Sequence, residues 1–302
     1  QLGLPAKQAV LPSALKRAGY ACGVFGKWHL GSEPRFNPMV HGWDEFFGYL
    51  GGNVHYFNHR ETSDLHVLFR GRLPVHAEGY MTHLITDHSL AFIERHRAKP
   101  FFLYVSHESP HFPFQGPKDA KKRVDKSNWM TLDADAYVAM LEDLDREVGR
   151  VLAALKQHRL EKNTLVIFCS DNGHAYMGGP EGYRFPLRGK KGTVWEGGHR
   201  VPGIAWWPGK IKPGQVSDEM VISLDLMPTM LDLAGVKIPE DLKLDGVSLT
   251  ALMLEGKNLG RRKLFWNGVA MRDGPWKLIT KVRGKSSQSP SLYNVADDIS
   301  EQ

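Results

Sequence analysis

At 302 residues, with 42% hydrophobic and 24% charged side chains, the chain has the make-up of a soluble globular protein with room for one large core and an appendage. Its formal net charge of +6 comes from Lys and Arg spread among acidic residues, which argues against a nucleic-acid-binding stripe and suits an anionic small substrate. No run approaches the roughly 18 consecutive apolar residues that span a bilayer, and the sequence opens at Gln1 without a Met and enters a helical pattern almost at once, so the expectation is an N-terminally truncated piece whose targeting segment is lost.

In chain order, Pro5 to Ala18 reads as a helix closed by Gly19, feeding a strand from Tyr20 to Phe25. Tyr80 to His96 is helical in period, and Pro100 introduces the apolar run Phe101 to Val105. Lys118 to Lys126 is the one basic run and reads as a solvated helix face. Ala136 to His158 is a long amphipathic helix with Val138, Leu141, Leu144, Val148, Val151, Leu152 and Leu155 on its apolar face, followed by a strand over Thr164 to Cys169. Continuous apolar strands alternating with helices predict an α/β fold, with a mainly parallel central sheet and helices on both faces. A strand over Gly203 to Trp207 and a helix from Asp225 to Ala234 follow. Beyond Leu264 the texture changes to short strands: Leu264 to Trp266, Val269 to Arg272, Trp276 to Lys281 and Leu292 to Val295. The predicted organisation is an α/β domain over 1–255 and a small antiparallel C-terminal subdomain over 256–302, with a polar loop from Arg283 to Pro290. Cys22 and Cys169 both sit in apolar strand-like runs and read as buried free thiols.

In such sheets ligands bind beyond the carboxyl ends of the strands, where the polar motifs of this chain fall. Gly26-Lys27-Trp28-His29 follows the first strand, Ser106 to His111 the second, and Ser170-Asp171-Asn172-Gly173 the third, so three strand ends should converge on one rim. Alternation points Lys27 and His29 to one side and Trp28 to the other, and a cation beside an imidazole suits an anion. Asp171 and Asn172 supply a carboxylate and an amide oxygen, the ligands that Ca2+ or Mg2+ prefer, although Asp-Asn-Gly also serves as a plain turn. His107-Glu108-Ser109-Pro110-His111 spells the zinc-protease pattern His-Glu-x-x-His, but Pro110 and Pro113 forbid the continuous helix that this chemistry needs. His111 is then a rigid-loop residue facing the site. Arg188 to Thr193 with Glu196-Gly197-Gly198 lacks the spacing of a nucleotide phosphate loop and leaves a glycine-rich loop carrying basic groups fit for a tetrahedral anion.

Taken together these motifs resemble the sulfatase family, of the alkaline phosphatase superfold, over nearly the whole chain. Gly26-Lys27-Trp28-His29-Leu30-Gly31 resembles the family's second signature and Gly42-Trp43-Asp44-Glu45-Phe46-Phe47-Gly48 its downstream companion. Pro100 to Tyr104 leading to Pro110-His111, Ser170 to Gly173, and Lys191-Gly192-Thr193 with Glu196-Gly197-Gly198 follow in family order. Asp273-Gly274-Pro275-Trp276-Lys277-Leu278 and Leu292-Tyr293-Asn294 are similar to its C-terminal subdomain.

The resemblance implies a sulfuric ester hydrolase whose nucleophile is a formylglycine made from the Cys or Ser of a Cys/Ser-x-Pro-x-Arg motif. That motif and the Asp pair completing the Ca2+ shell are absent from these residues and are expected upstream. Carried over, Lys27 contacts the sulfate and steadies the nucleophile, and His29 takes a proton as sulfate is expelled. His111 and Lys191 bind sulfate on the leaving-group side, while Asp171 and Asn172 give half of the Ca2+ (or Mg2+) shell. The implied partner is a small-molecule or carbohydrate sulfate ester, with the loops Asn53 to Leu73 and His174 to Pro186 at the pocket mouth. Family members commonly work outside the cytoplasm, which favours export. The alternatives are a phosphoester or phosphonate hydrolase of the same superfold, and a non-catalytic domain that binds sulfate esters.

Overall fold

The structure, a computed structural model, describes residues 3–6, 8, 10–175, 186–238, 242–281 and 289–302. Most of the loop 174–186 and of the polar loop 283–290 lies outside the described residues. The chain divides into two compact units, one formed by residues 1–161 with 227–245 and the other by 162–226 with 246–302.

In the first unit α1 (Leu11–Arg17) leads into β1 (Ala21–Lys27), followed by β2 (Glu45–Tyr49), β3 (Leu68–Arg70), β4 (Leu73–Pro74), α2 (Met81–His96), β5 (Phe101–Ser106) and α3 (Ala134–Gln157). The helix expected from Pro5 begins six residues later, and Pro12 is the reason. A proline is tolerated in a first turn, whereas a helix begun at Pro5 would hold it in the interior, short of a donor and in steric conflict with the preceding turn.

The strands form one mixed sheet in the order β4-β3-β2-β1-β5. β1 lies parallel to both β2 and β5, in register Gly23 to Glu45 and Gly23 to Leu103, while β3 and β4 add an antiparallel edge. Helices cover both faces, as the pattern predicted. Cys22 and Val24 pack with Ala14 and Leu15 of α1, with Trp43 and Phe46, and with Leu231 of α5 (Leu226–Leu233), most of which belongs to this unit. On the other face Phe25 meets Phe92 of α2 edge-on at 5.7 Å. Gly26 lets the central strands close: a Cβ there would stand 2.0 Å from the Ser106 carbonyl oxygen, inside any tolerable contact.

α3 departs from its expected face. Val138 and Leu141 are exposed, and the buried residues are Ala136, Met140, Asp143, Glu147 and Leu155. The helix docks on α2 largely through charge, with His83 at 3.0 Å from Asp143 and Arg150 at 2.7 Å from both Asp87 and Glu147. The basic run 118–126 is turns rather than a helix face, and Lys122 is taken up by Asp133 at 2.6 Å.

In the second unit β6 (Val166–Cys169) pairs antiparallel with β7 (Gly203–Trp206), and a four-residue helix α4 (Glu196–His199) comes between them in sequence. After α6 (Thr250–Glu255) come β8 (Lys263–Trp266), β9 (Ala270–Asp273), β10 (Trp276–Ile279) and β11 (Ser291–Asn294), the expected antiparallel C-terminal sheet, in the order β11-β10-β9-β8. Two of the three strand ends expected on one rim, those of β1 and β5, therefore share a sheet edge, while β6 ends in a two-stranded ladder of its own unit. Both cysteines are free thiols. Cys22 is buried, and burial, helped by Asp44, pushes its thiol up to about 12. Cys169 is exposed, contrary to expectation, because the short β6–β7 ladder leaves its end uncovered. No helix among the described residues is long and apolar enough to cross a membrane.

Candidate active site

The six singled-out side chains fall into two groups. In the first unit Lys27 closes β1, and the ladder to β2 runs on past it, with Trp28 N–H donating to Tyr49 O at 3.0 Å and His29 N–H to Leu50 O at 3.1 Å. Trp28 turns into the core, where its indole donates to Phe36 O at 2.7 Å, while Lys27 is half-buried and His29 exposed on either side of it. Regular alternation stops at His29, whose φ is 55°. Its ring lies on the backbone of Gly52, where a Cβ would come within 2.8 Å of Nε2.

The end of β5 supplies His111 without any helix, as the prolines dictate. His111 N–H donates to Glu108 O at 2.9 Å, and the Tyr56 hydroxyl donates to His111 O at 3.1 Å. His111 Nδ1 lies 2.9 Å from Phe112 O, an acceptor only, so Nδ1 carries the proton and Nε2 is the basic nitrogen. His107, by contrast, is sealed away, and burial drives its imidazole down to about 4.

Glu108 was passed over in the sequence, where it was only the inner letter of a rejected zinc pattern. The structure buries it to 4% exposure and gives it the Val54 N–H at 2.8 Å. Burial lifts its carboxyl well above the usual range, and the Val54 hydrogen bond and the Lys27 charge offset only part of that rise. An acidic residue wedged between a strand end and a Pro-His pair was the available signal. A carboxyl whose pKa rises on folding costs stability as pH climbs above its unfolded value, because the unfolded chain ionises first. Glu108→Gln should therefore melt about 3 °C higher than the parent at pH 8, with the difference closing by pH 4. A lower melting temperature at pH 8 would mean an ionised Glu108 paired with Lys27.

In the second unit Asp171, Asn172 and Lys191 are stitched together through backbone. Asn172 Nδ2 donates to Gly173 O at 3.0 Å, which leaves its amide oxygen as an acceptor. Gly173 N–H donates to Gly198 O at 3.0 Å, Lys191 N–H to His174 O at 2.7 Å, and Gly197 N–H to Arg188 O at 2.7 Å. These contacts explain the glycine pair in α4. A Cβ on Gly198 would lie 2.2 Å from Thr193 O, and one on Gly197 2.6 Å from Arg188 O. Glu196 of the same helix is fully buried between Lys277 at 2.8 Å and Arg272 at 2.9 Å. Burial alone would raise its carboxyl, but these two cations outweigh it and hold it below its usual range.

Asp171 brings a carboxylate and Lys191 an ammonium, groups that bind ligands of opposite charge. Asp171 and Asn172 bring hard oxygen donors, the right kind for Ca2+ or Mg2+. No group of three or more His, Cys, Asp or Glu side chains able to hold a metal occurs among the described residues, so the pair can furnish only part of a shell.

Residues 3–236 match the sulfatase family model. N-acetylgalactosamine-6-sulfatase of Mus musculus is 35% identical over 283 residues, covering 88% of this chain and 52% of the relative. An arylsulfatase of Hemicentrotus pulcherrimus is 33% identical over 311 residues, covering 95% and 54%. The chain thus spans about half the length of the curated relatives it matches. The solved structure of Ps i-CgsB in complex with k-i-k-neocarrahexaose superposes with a TM-score of 0.83 at 30% identity, covering all of this chain and 70% of that one.

Proposed function

This chain belongs to the sulfatase family, and from that premise we propose that it carries most of the acid-base and anion-binding residues of a sulfuric ester hydrolase acting on carbohydrate sulfates. The observation carrying the reading is the hydrogen bond from Lys191 N–H to His174 O at 2.7 Å, which ties the main chain of the Lys191 loop to the loop of Asp171 and Asn172. An ammonium and two hard oxygen donors carried on adjoining loops are the groups that a sulfate bound to a divalent ion requires. Residues 1–255 form the catalytic domain in this reading, and 256–302 its smaller C-terminal subdomain.

Asp171 and Asn172 would hold part of the shell of a divalent ion, which when bound would draw charge from the sulfate, and the nucleophile in this reading would be a formylglycine. Lys27 and Lys191 neutralise charge on the sulfate oxygens, and they do so most as that charge builds up during transfer. His111, with Nδ1–H committed to Phe112 O, takes up a proton from solvent at Nε2 and passes that proton to the departing alcohol oxygen, which returns Nε2 to its basic form. His29 accepts a proton at the other end of the cycle, when sulfate leaves.

The carbohydrate reading draws on the N-acetylgalactosamine-6-sulfatases among the relatives and on the carrageenan-type oligosaccharide in the Ps i-CgsB structure. Within the first unit Asn53 to Leu73 suits a substrate-facing segment, because it is anchored. The Trp129 indole donates to Asn53 Oδ1 at 3.0 Å, and Val54, His55, Tyr56 and His59 are buried. The test is sulfate release, followed by ion chromatography, from an aryl sulfate, N-acetylgalactosamine 6-sulfate and neocarrageenan oligosaccharides. Release from a sugar sulfate supports the reading. Cleavage of the aryl ester alone would remove the carbohydrate assignment.

A further inference from the structure

The C-terminal sheet contributes no residue to the proposed chemistry, yet it places a fully buried lysine in the second unit. Lys277 on β10 is fully buried, with Nζ 2.8 Å from Glu196 Oε1, 2.9 Å from Glu301 Oε1 and 3.1 Å from His199 Nε2. Arg272 on β9 takes the other Glu196 oxygen at 2.9 Å, Glu196 N–H donates to Glu301 Oε2 at 2.7 Å, and Trp266 on β8 stacks on His199 at 4.3 Å. All of these contacts converge on α4, a single helical turn in which two of the four residues are glycine. Such a turn has almost no helix stability of its own, so its geometry must come from what grips it.

What α4 grips in turn is the candidate half-site. Gly198 O receives Gly173 N–H one residue after Asn172, and Gly197 N–H fixes Arg188 O at the start of the Lys191 loop. Thr193 closes that loop by donating to Lys190 O at 2.7 Å and accepting Lys190 N–H at 3.1 Å.

We propose that Lys277 is a positioning residue: by locking the Glu196 carboxylate it holds α4, and through α4 it sets Asp171, Asn172 and Lys191 in their working arrangement. The proposal rests on the reading that those three residues serve sulfate ester hydrolysis. It also accounts for two distant motifs at once, since Glu196-Gly197-Gly198 and Trp276-Lys277-Leu278 become two halves of one clamp. The glycines permit the close approach, and the two charges fix it.

The test compares Lys277→Met and Glu196→Gln with Leu264→Ala in the full-length protein. Leu264 is buried in the same sheet and outside the ion cluster, so its truncation loosens the sheet alone. Each variant is measured for melting temperature, for kcat and KM on an aryl sulfate, and for binding of Ca2+ alone by equilibrium dialysis. A displacement of about 1 Å in reacting groups costs on the order of 100-fold in rate, and loss of an outer support typically weakens metal binding about 10- to 100-fold. Lys277→Met should therefore lose about 30-fold in kcat and at least about tenfold in Ca2+ affinity. Leu264→Ala should lower the melting temperature while holding both values within about twofold. If Lys277→Met does not fold, Glu196→Gln, which keeps the shape and removes the charge, decides alone and should shift both values in the same direction. A folded Lys277→Met, or failing that a folded Glu196→Gln, with unchanged kcat and Ca2+ binding overturns the proposal. Unchanged turnover in Lys191→Ala and Asp171→Ala would instead sink the functional reading on which it rests.

Discussion

Replacing His111 with alanine in the full-length protein should cut aryl sulfate turnover by about two to four orders of magnitude. The size follows from the atom involved. An alcohol leaving group departs as a poor, strongly basic anion unless a proton reaches its oxygen, and a positioned acid lowers that barrier in the transition state alone. The structure holds His111 for this by its surroundings, with Phe112 O taking Nδ1–H and the Tyr56 hydroxyl and Glu108 backbone pinning the main chain. The loss should fall on kcat more than on KM, and it should shrink for aryl esters whose phenol leaves readily without protonation. Turnover within about twofold of the parent across that series would remove His111 from the role.

The second large effect is on stability in mild acid. Burial holds His55, His59, His88 and His107 of the first unit at about 4, well below the 6.5 of a free imidazole. Each is kept neutral by a definite surrounding. His55 Nδ1 accepts the Phe57 and Asn58 N–H groups, both at 3.2 Å, and a proton there would evict them. His88 lies flat against Phe47 at 3.7 Å. As pH falls from 6.5 toward 4 the unfolded chain takes up protons that the folded unit refuses, so stability is lost over that window. With one pKa unit worth about 1.4 kcal/mol, four such groups can withdraw on the order of 5 kcal/mol after generous discounting, or roughly 10 °C in melting temperature. Buried carboxyls displaced upward, Glu108 and Glu301, act in the opposite sense and trim the loss. Thermal unfolding between pH 7.5 and 4.5 should show the fall, and His59→Phe should flatten it. A melting temperature constant over that range would contradict the burial of these imidazoles.

Much of the fold was legible because it is written locally. The apolar run of β1 and the helical period of α2 each appear within a dozen or so residues, and α3 was placed to within two residues of its ends although its buried face was misjudged. The error on α3 has a physical source. Asp143 and Glu147 are buried while pairing with His83 of α2, and a hydrophobic pattern has no means of representing a face sealed by charge. β2 went unread because Glu45–Tyr49 contains a glycine and owes its extended form to β1. α4 was invisible for a stronger reason: Glu196-Gly197-Gly198-His199 opposes helix formation locally, and the groups that stabilise it lie some 80 residues downstream. The candidate site shows the same division. Lys27, His29, His111, Asp171 and Asn172 were singled out by residue type beyond strand ends and Lys191 by its glycine-rich loop and the family resemblance, whereas Glu108 and Lys277 gain meaning only from burial and partners.

The central claim, that these residues serve sulfate ester hydrolysis, is tested most directly by presenting the full-length protein with matched aryl sulfate and aryl phosphate esters and comparing kcat/KM. The account predicts that the sulfate is cleaved faster by at least about 100-fold, and that Lys191→Ala removes most of that rate. A phosphate preference, or sulfate cleavage indifferent to Lys191, would contradict it.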